Sequence, residues 1–142
     1  MKAEQDGRLS PVLMGGPVVL VVDDDTSIRR LLGVLLERNG YRARLATDGV
    51  EARSAIETEE VSLILCDHHL HAESGLTLVR DLLRRSPRTV ALIMSGDGMS
   101  QQSTGPLGEG ISGYVAKPFD AKDVVKRIGQ ALCGRTLGGA PV

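Results

Sequence analysis

Three short apolar runs, each broken off by a polar residue, constrain this chain more than any other feature. Val18-Val19-Leu20-Val21-Val22 stops at Asp23-Asp24-Asp25, Val61-Ser62-Leu63-Ile64-Leu65-Cys66 stops at Asp67, and Thr89-Val90-Ala91-Leu92-Ile93-Met94 stops at Ser95. Runs this short and this continuous read as strands buried on both faces, as the strands of parallel sheets are. A parallel sheet needs a crossover between successive strands, and the intervening sequence supplies helical patterns. Each polar residue then emerges at the carboxyl edge of the sheet, where open α/β sheets bind ligands. Asp67 alone could be a turn starter; in the company of the other strand ends it becomes the candidate reactive residue.

Between the strands the signals alternate as a β/α chain requires. After the acidic turn, Thr26 or Ser27 can cap a helix in which Ile28, Leu31, Leu32 and Leu35 recur at helical spacing until Asn39-Gly40. Tyr41, Ala43 and Leu45 alternate with Arg42 and Arg44, which suits an edge strand. Asp48 with Glu51 resembles a capping box for a short helix through Ile56. His68 to Ser74 is a polar loop, Gly75 allows a tight entry, and Leu76, Val79, Leu82 and Leu83 mark a third helix stopped before Pro87. The stretch from Asp97 to Gly110 should hold a fourth helix, but Gly98, Gly105, Pro106, Gly108 and Gly110 spoil it, so one turn or an irregular loop is expected over Met99–Gly110. Gly113-Tyr114-Val115-Ala116 reads as a short strand ending at Lys117-Pro118. Asp120 can cap a last helix carrying Val124, Val125, Ile128 and Leu132 and ended by Gly134.

Five strands alternating with five helical segments predict a flavodoxin-like (βα)5 three-layer sandwich, its parallel sheet ordered 2-1-3-4-5. Residues 1–16 read as a flexible leader, 17–133 as the domain and 134–142 as a flexible Gly-rich tail. A length of 142 residues suits one such domain. The net charge of −1 argues against direct nucleic-acid binding. Two cysteines, Cys66 and Cys133, without metal-type spacing, read as reduced thiols of a cytoplasmic protein. No apolar run approaches membrane-spanning length.

The predicted strand order makes strands 1 and 3 neighbours, which brings Asp23, Asp24 and Asp67 together, with Ser95 and Lys117 arriving from the strands alongside. Carboxylates so gathered repel one another unless a cation sits between them, and an all-oxygen set points to a hard ion such as Mg²⁺. A carboxylate is also a nucleophile toward phosphorus, and the ion would neutralise charge on the transferring group. The remaining phosphoryl oxygens need a hydroxyl and a cation, which Ser95 and Lys117 can supply.

In VVLVVDDD, LILCDHHL followed by Ser74-Gly75, LIMSG at Leu92–Gly96 and GYVAKPF at Gly113–Phe119, the sequence resembles the receiver domains of two-component response regulators, chemotaxis-regulator-like ones included. The resemblance covers roughly Pro17 to Cys133. It implies that Asp67 is the phosphoacceptor, that Asp23, Asp24 and Asp67 hold Mg²⁺ together with the backbone carbonyl of His69, and that Lys117 contacts the phosphoryl group. It implies Ser95 as switch hydroxyl, Tyr114 as the aromatic that turns inward with it, and a cis Lys117–Pro118 peptide. His69 and Asp97, each two residues past a site residue, would flank the water that hydrolyses the aspartyl phosphate. The implied partners are a sensor histidine kinase or phosphotransfer protein and an output partner the sequence does not identify, a second copy of the chain among the candidates.

Two departures stand out. The family pattern has a Pro four residues after the acceptor, where this chain has His71, and the poor fourth helix falls on a surface that the family commonly uses for output. Other readings remain open at this stage: an aspartate-based phosphohydrolase, which wants an acid where His69 stands; a docking receiver that is never phosphorylated; and a transition-metal site made of His68, His69 and His71 with Asp67.

Overall fold

The structure is a computed structural model and describes residues 16–96 and 111–139, with the side chains of the last helix described as far as Gly134. Asp97, the Met99–Gly110 segment and most of the expected leader therefore lie outside the described residues. Five strands form one parallel sheet: β1 (Val18–Val22), β2 (Arg42–Ala46), β3 (Leu63–Asp67), β4 (Val90–Ser95) and β5 (Ile111–Ala116). Their order, β2-β1-β3-β4-β5, is the predicted one. The described helices are α1 (Thr26–Arg38), α2 (Gly49–Thr58), α3 (Gly75–Arg85) and α4 (Ala121–Gly139).

The strands are continuous apolar runs because both faces of the sheet are covered. Val18, Leu20 and Val22 of β1, with Ile64 and Cys66 of β3, pack against Ala52 and Ala55 of α2 and Leu78, Val79 and Leu82 of α3. The alternate residues Val19, Val21, Leu63 and Leu65 meet Leu32 and Leu36 of α1 and Val124 and Ile128 of α4 on the other face. The period of two along each strand thus feeds two cores at once. All residues of β1, β3 and β4 are buried, whereas the edge strand β2 is buried only at Ala46; the alternation read from its sequence is not followed, since Ala43 and Arg44 are both half-buried and Leu45 is exposed.

Several local expectations change at the helix ends. Asp25, not Thr26 or Ser27, is the N-cap of α1; its carboxylate accepts from the amides of Ser27 at 2.8 Å and Ile28 at 3.2 Å. Asp25 therefore stands outside the other acids because the helix uses it. Within α1 it is Leu32 and Leu36 that are buried, while Leu31 faces solvent; 3.6-residue spacing allows either stripe, and the sheet selects one. Asp48 caps α2 by accepting from the Glu51 amide, but the Glu51 carboxylate accepts from the Thr47 amide rather than from that of Asp48. Helix α4 runs through Gly139, past Gly134, where the sequence pattern ends. A glycine weakens a helix without forbidding it.

Register carries the fold to the site. Val22 pairs with Cys66, so Asp23 and Asp67 are the next residues out on neighbouring strands. Asp67 pairs with Met94 and Ser95 with Ala116, so Ser95 and Lys117 each leave the sheet one step later. Gly75 sets the other boundary, since a Cβ there would stand 1.9 Å from the Asp67 carbonyl oxygen and 3.0 Å from His68 Cα. Only a residue without a side chain lets α3 begin so close beneath the end of β3.

Helix propensity alone predicts that Gly75→Ala stabilises, whereas this contact predicts the reverse. We expect Gly75→Ala to cost roughly 1–3 kcal/mol, the usual penalty for forcing atoms into a packed site. Gly134→Ala, where a Cβ meets nothing within 4 Å, should gain up to about 1 kcal/mol. Urea unfolding midpoints of the two variants should move in opposite directions; a rise for Gly75→Ala would mean that the β3–α3 junction is not packed as described.

Candidate functional site: an acidic pocket at the carboxyl edge of the sheet

Asp23, Asp24 and Asp67 each offer a carboxylate oxygen, and these atoms lie within 4.8 Å of one another. The chain holds them there by three separate means. Asp23 is fully buried; its Oδ1 accepts from the Asp25 amide at 2.9 Å and its amide donates to the Ala46 carbonyl at 3.2 Å, which ties the β1–α1 turn to the end of β2. Arg29, one turn into α1, donates to the Asp23 carbonyl at 2.6 Å. Asp67 is the last residue of β3, and the amide of the next residue, His68, donates to Met94 of β4 at 2.7 Å. Asp24 comes with Asp23, one residue further along the turn.

Lys117 closes the pocket from β5. Its ammonium lies 3.1 Å from Asp23 Oδ2 and 3.2 Å from Asp67 Oδ1. The Lys117 amide donates to the Ser95 carbonyl at 2.8 Å, so the lysine backbone continues the pairing of β4 and β5 beyond the strands. The peptide that follows, Lys117–Pro118, is cis, as the sequence resemblance implied. Burial pushes the Asp23 carboxyl above its usual range, against the Asp25 amide and Lys117, which favour the charged form. For Lys117 burial works against the charge, but the hydrogen bond and charge of Asp23, with the charge of Asp67, outweigh it and raise the ammonium pKa. Lys117 is therefore a fixed positive charge over the ordinary pH range.

Three carboxylates against one ammonium leave the pocket with surplus negative charge. Among the described residues this is the one group of acidic, His or Cys side chains gathered closely enough to hold a metal ion. The donor set is all oxygen, with Asp24 partly exposed beside an Asp23 that is buried, and it suits a hard dication entering from solvent. His68, His69 and His71 do not gather with Asp67 into a second such group. Instead His68 Nδ1 and His69 Nε2 lie 3.3 Å apart, and His71 Nε2 lies 3.3 Å from Asp24 Oδ2.

Of the remaining expected residues, Ser95, Tyr114 and His69 are among the described ones and Asp97 is not. Ser95 ends β4 and is buried. Tyr114 of β5 is buried, in the same apolar cluster as the residues of α2 and α3. The His69 amide approaches Asp67 Oδ1 at 3.4 Å. Cys66, behind Asp67, is core: burial pushes its thiol far above the usual range, with the charges of Asp67 and Asp23 adding to the effect.

Sequence reasoning missed what holds the loop between Asp67 and α3. Arg53 of α2 donates to Asp81 of α3 at 2.9 Å and straddles both oxygens of Glu73 at 3.3 Å. Gly49 makes room for this, because a Cβ there would stand 2.1 Å from Glu73 Oε2. No local pattern links residues 20 and 28 positions apart, so nothing in the sequence pointed to the clamp. At the base of the same loop His69 bridges to Ser74, the Gly75 amide donates to the His68 carbonyl at 2.8 Å, and Ser74 caps α3.

Comparison with known proteins agrees with this geometry. Residues 19–129 match the family described as the response regulator receiver domain. Protein PetR of Rhodobacter capsulatus is 36% identical over 116 residues, covering 82% of this chain and 48% of its own length. The phosphate regulon transcriptional regulatory protein PhoB of Pseudomonas aeruginosa is 33% identical over 129 residues, covering 89% of this chain and 56% of its own. The chain thus spans about half the length of these curated relatives. Among solved structures, a CheY-like response regulator receiver domain protein from Methanospirillum hungatei superposes with a TM-score of 0.78 at 27% identity, over 86% of this chain and 98% of that one. With the sheet order, the acidic pocket and the matched residues all in agreement, the chain belongs to the response regulator receiver domain family of two-component systems.

Proposed function

We propose that this chain is a phosphorylation-dependent switch in which Asp67 accepts a phosphoryl group from a sensor histidine kinase or a phosphotransfer protein. The observation that carries the reading is the Lys117 ammonium lying within 3.2 Å of both Asp23 and Asp67, with Asp24 completing the acid cluster. Asp67 is the member of that cluster that ends a strand, faces Lys117 and keeps a little side-chain exposure, 12% against 0% for Asp23. In this reading Asp23, Asp24, Asp67 and the His69 carbonyl hold Mg²⁺, which when bound neutralises charge on the transferring group. Lys117 and the Ser95 hydroxyl meet the other phosphoryl oxygens.

The output is a population of conformations rather than a released product, so the chain is not a turnover enzyme. Charge arriving on Asp67 draws Ser95 and Lys117 toward it. Tyr114, one strand over from Ser95 and buried in the apolar cluster that includes Ile93, is the side chain whose position would report that pull. His69 and Asp97 set the lifetime by flanking the path of hydrolytic water. The reaction needs no membrane, and no helix among the described residues is long and apolar enough to cross one; we place the protein in the cytoplasm, where sensor kinases present their phosphohistidine.

Several relatives are named as DNA-binding regulators, among them NtrC of Bradyrhizobium and RpaA of Synechocystis, and this chain covers 24% and 50% of their lengths. DNA binding in those names is said of the longer proteins. For the present stretch, with its net charge of −1, we propose protein partners and no direct nucleic-acid contact. The output partner, a second copy included, would read the face next to β5.

Two measurements test the reading. Intact-protein mass after acetyl phosphate and Mg²⁺ should show one added phosphoryl group, and Asp67→Asn should show none; equal modification of the Asn variant would remove Asp67 as acceptor. Replacing His69 and Asp97 together should change the decay rate of the phosphorylated protein several-fold while altering its formation less. An unchanged decay rate would take both residues out of the hydrolytic path.

A further inference from the structure

Asp23 and Asp67 share Lys117, but the group facing Asp24 is a different one. His71 Nε2 stands 3.3 Å from Asp24 Oδ2. Two donors at right angles on one ion, with bonds of about 2.1 Å, lie about 3.0 Å apart, so this nitrogen and oxygen are close to the separation of neighbouring ligands. The imidazole is reached from a loop whose base is fixed by the His69–Ser74 bridge and by Arg53 on Glu73. Its ring is 92% exposed, so it can turn toward the acids without disturbing the core. Asp24 and His71 also line a cavity of about 280 Å³ with Thr47, Asp48 and Leu70, so the imidazole has open space beside Asp24 in which to turn.

We propose that His71 is a nitrogen ligand for the dication held at Asp24, so that the site takes borderline metals such as Co²⁺ or Zn²⁺ more tightly, relative to Mg²⁺, than its carboxylates alone would. This rests on the reading that the acid cluster binds a dication. Imidazole adds little for Mg²⁺, which prefers oxygen and keeps its waters, whereas the later first-row metals gain a strong bond from the same nitrogen. His71 thereby sets metal preference, while the oxygen set sets the fact of binding.

The test is calorimetric titration of the whole 142-residue chain with CoCl₂ and with MgCl₂, alongside the visible absorption of bound Co²⁺, which reports nitrogen in its shell. His71→Ala should weaken Co²⁺ at least about tenfold, the lower end of what even an outer-shell partner is worth. It should weaken Mg²⁺ less than about twofold and change the Co²⁺ band. The side chain is exposed, so the variant should fold, and circular dichroism confirms that. Asp24→Asn should weaken both metals. An unchanged ratio of Co²⁺ to Mg²⁺ affinity in His71→Ala, with Mg²⁺ binding still dependent on Asp24, overturns the ligand assignment alone. The same follows if His68→Ala or His69→Ala, rather than His71→Ala, removes the Co²⁺ preference. A wild-type protein that binds neither metal overturns the cation reading beneath it as well.

Discussion

The ammonium of Lys117 between the carboxylates of Asp23 and Asp67 is the contact on which the carboxyl edge of this sheet depends. Asp23 has no exposure at all, and an ionised carboxylate left unpaired in such a place costs several kcal/mol. Lys117 and the Asp25 amide make the charged form tolerable, yet burial still holds the Asp23 pKa up. The pocket is thus a compromise in which desolvation and attraction nearly oppose each other. Such a site responds strongly to added charge, because its members have little solvent to screen them. Under the function proposed above, a dication or a phosphoryl group arriving at Asp67 would have to redistribute the one ammonium that two acids share.

That compromise is possible only because four strand ends are fixed to within a residue. A slip of one position in β3 would turn Asp67 to the opposite face and bring Cys66 or His68 to the pocket. The two-core arrangement forbids the slip: Leu63 and Leu65 face α1 and α4, Ile64 and Cys66 face α2 and α3, and each set would have to change places. The apolar runs therefore do more than bury surface, since their alternation sets the register that delivers the polar residues. Gly75 adds the constraint from below, where the start of α3 meets the Asp67 carbonyl too closely for any side chain.

The parts of this structure that were legible in the sequence are those written in short-range patterns. Runs buried on both faces announced the parallel sheet, polar residues at their ends announced the gathering of Asp23, Asp24, Asp67 and Lys117, and Asp48 announced its own cap. Where two local solutions compete, pattern did not decide. Asp25, Thr26 and Ser27 are all good N-caps, and the choice of Asp25 depends on where the β1 turn leaves the chain. Leu31 and Leu32 both fit a helical stripe, and only the position of the sheet says that Leu32 is inside. The end of α4 was misplaced for a related reason: Gly134 has open space around its Cα and no positive φ demanding a stop, so the helix runs on.

What could not be read at all was the support of the β3–α3 loop. In place of the rigid residue that the family pattern has after the acceptor, the chain has His71, which suggested a looser loop. The structure holds the loop from its sides instead. Arg53 reaches from α2 to Glu73 in the loop and to Asp81 in α3, and Arg85 of α3 shares Asp81 at 3.1 Å. The hydrogen bonds to Asp81 and Glu73 raise the Arg53 pKa, and those from Arg53 and Arg85 lower that of Asp81. Both shifts favour the charged pair throughout the neutral range. Each contact is half-exposed and individually weak. Their effect is geometric: they tie Glu73, two residues from His71, to Arg53 of α2. Rigidity that a single backbone-restricting residue would give locally is here supplied by side chains from two helices, which leaves the position beside Asp24 free to carry a side chain with chemistry of its own.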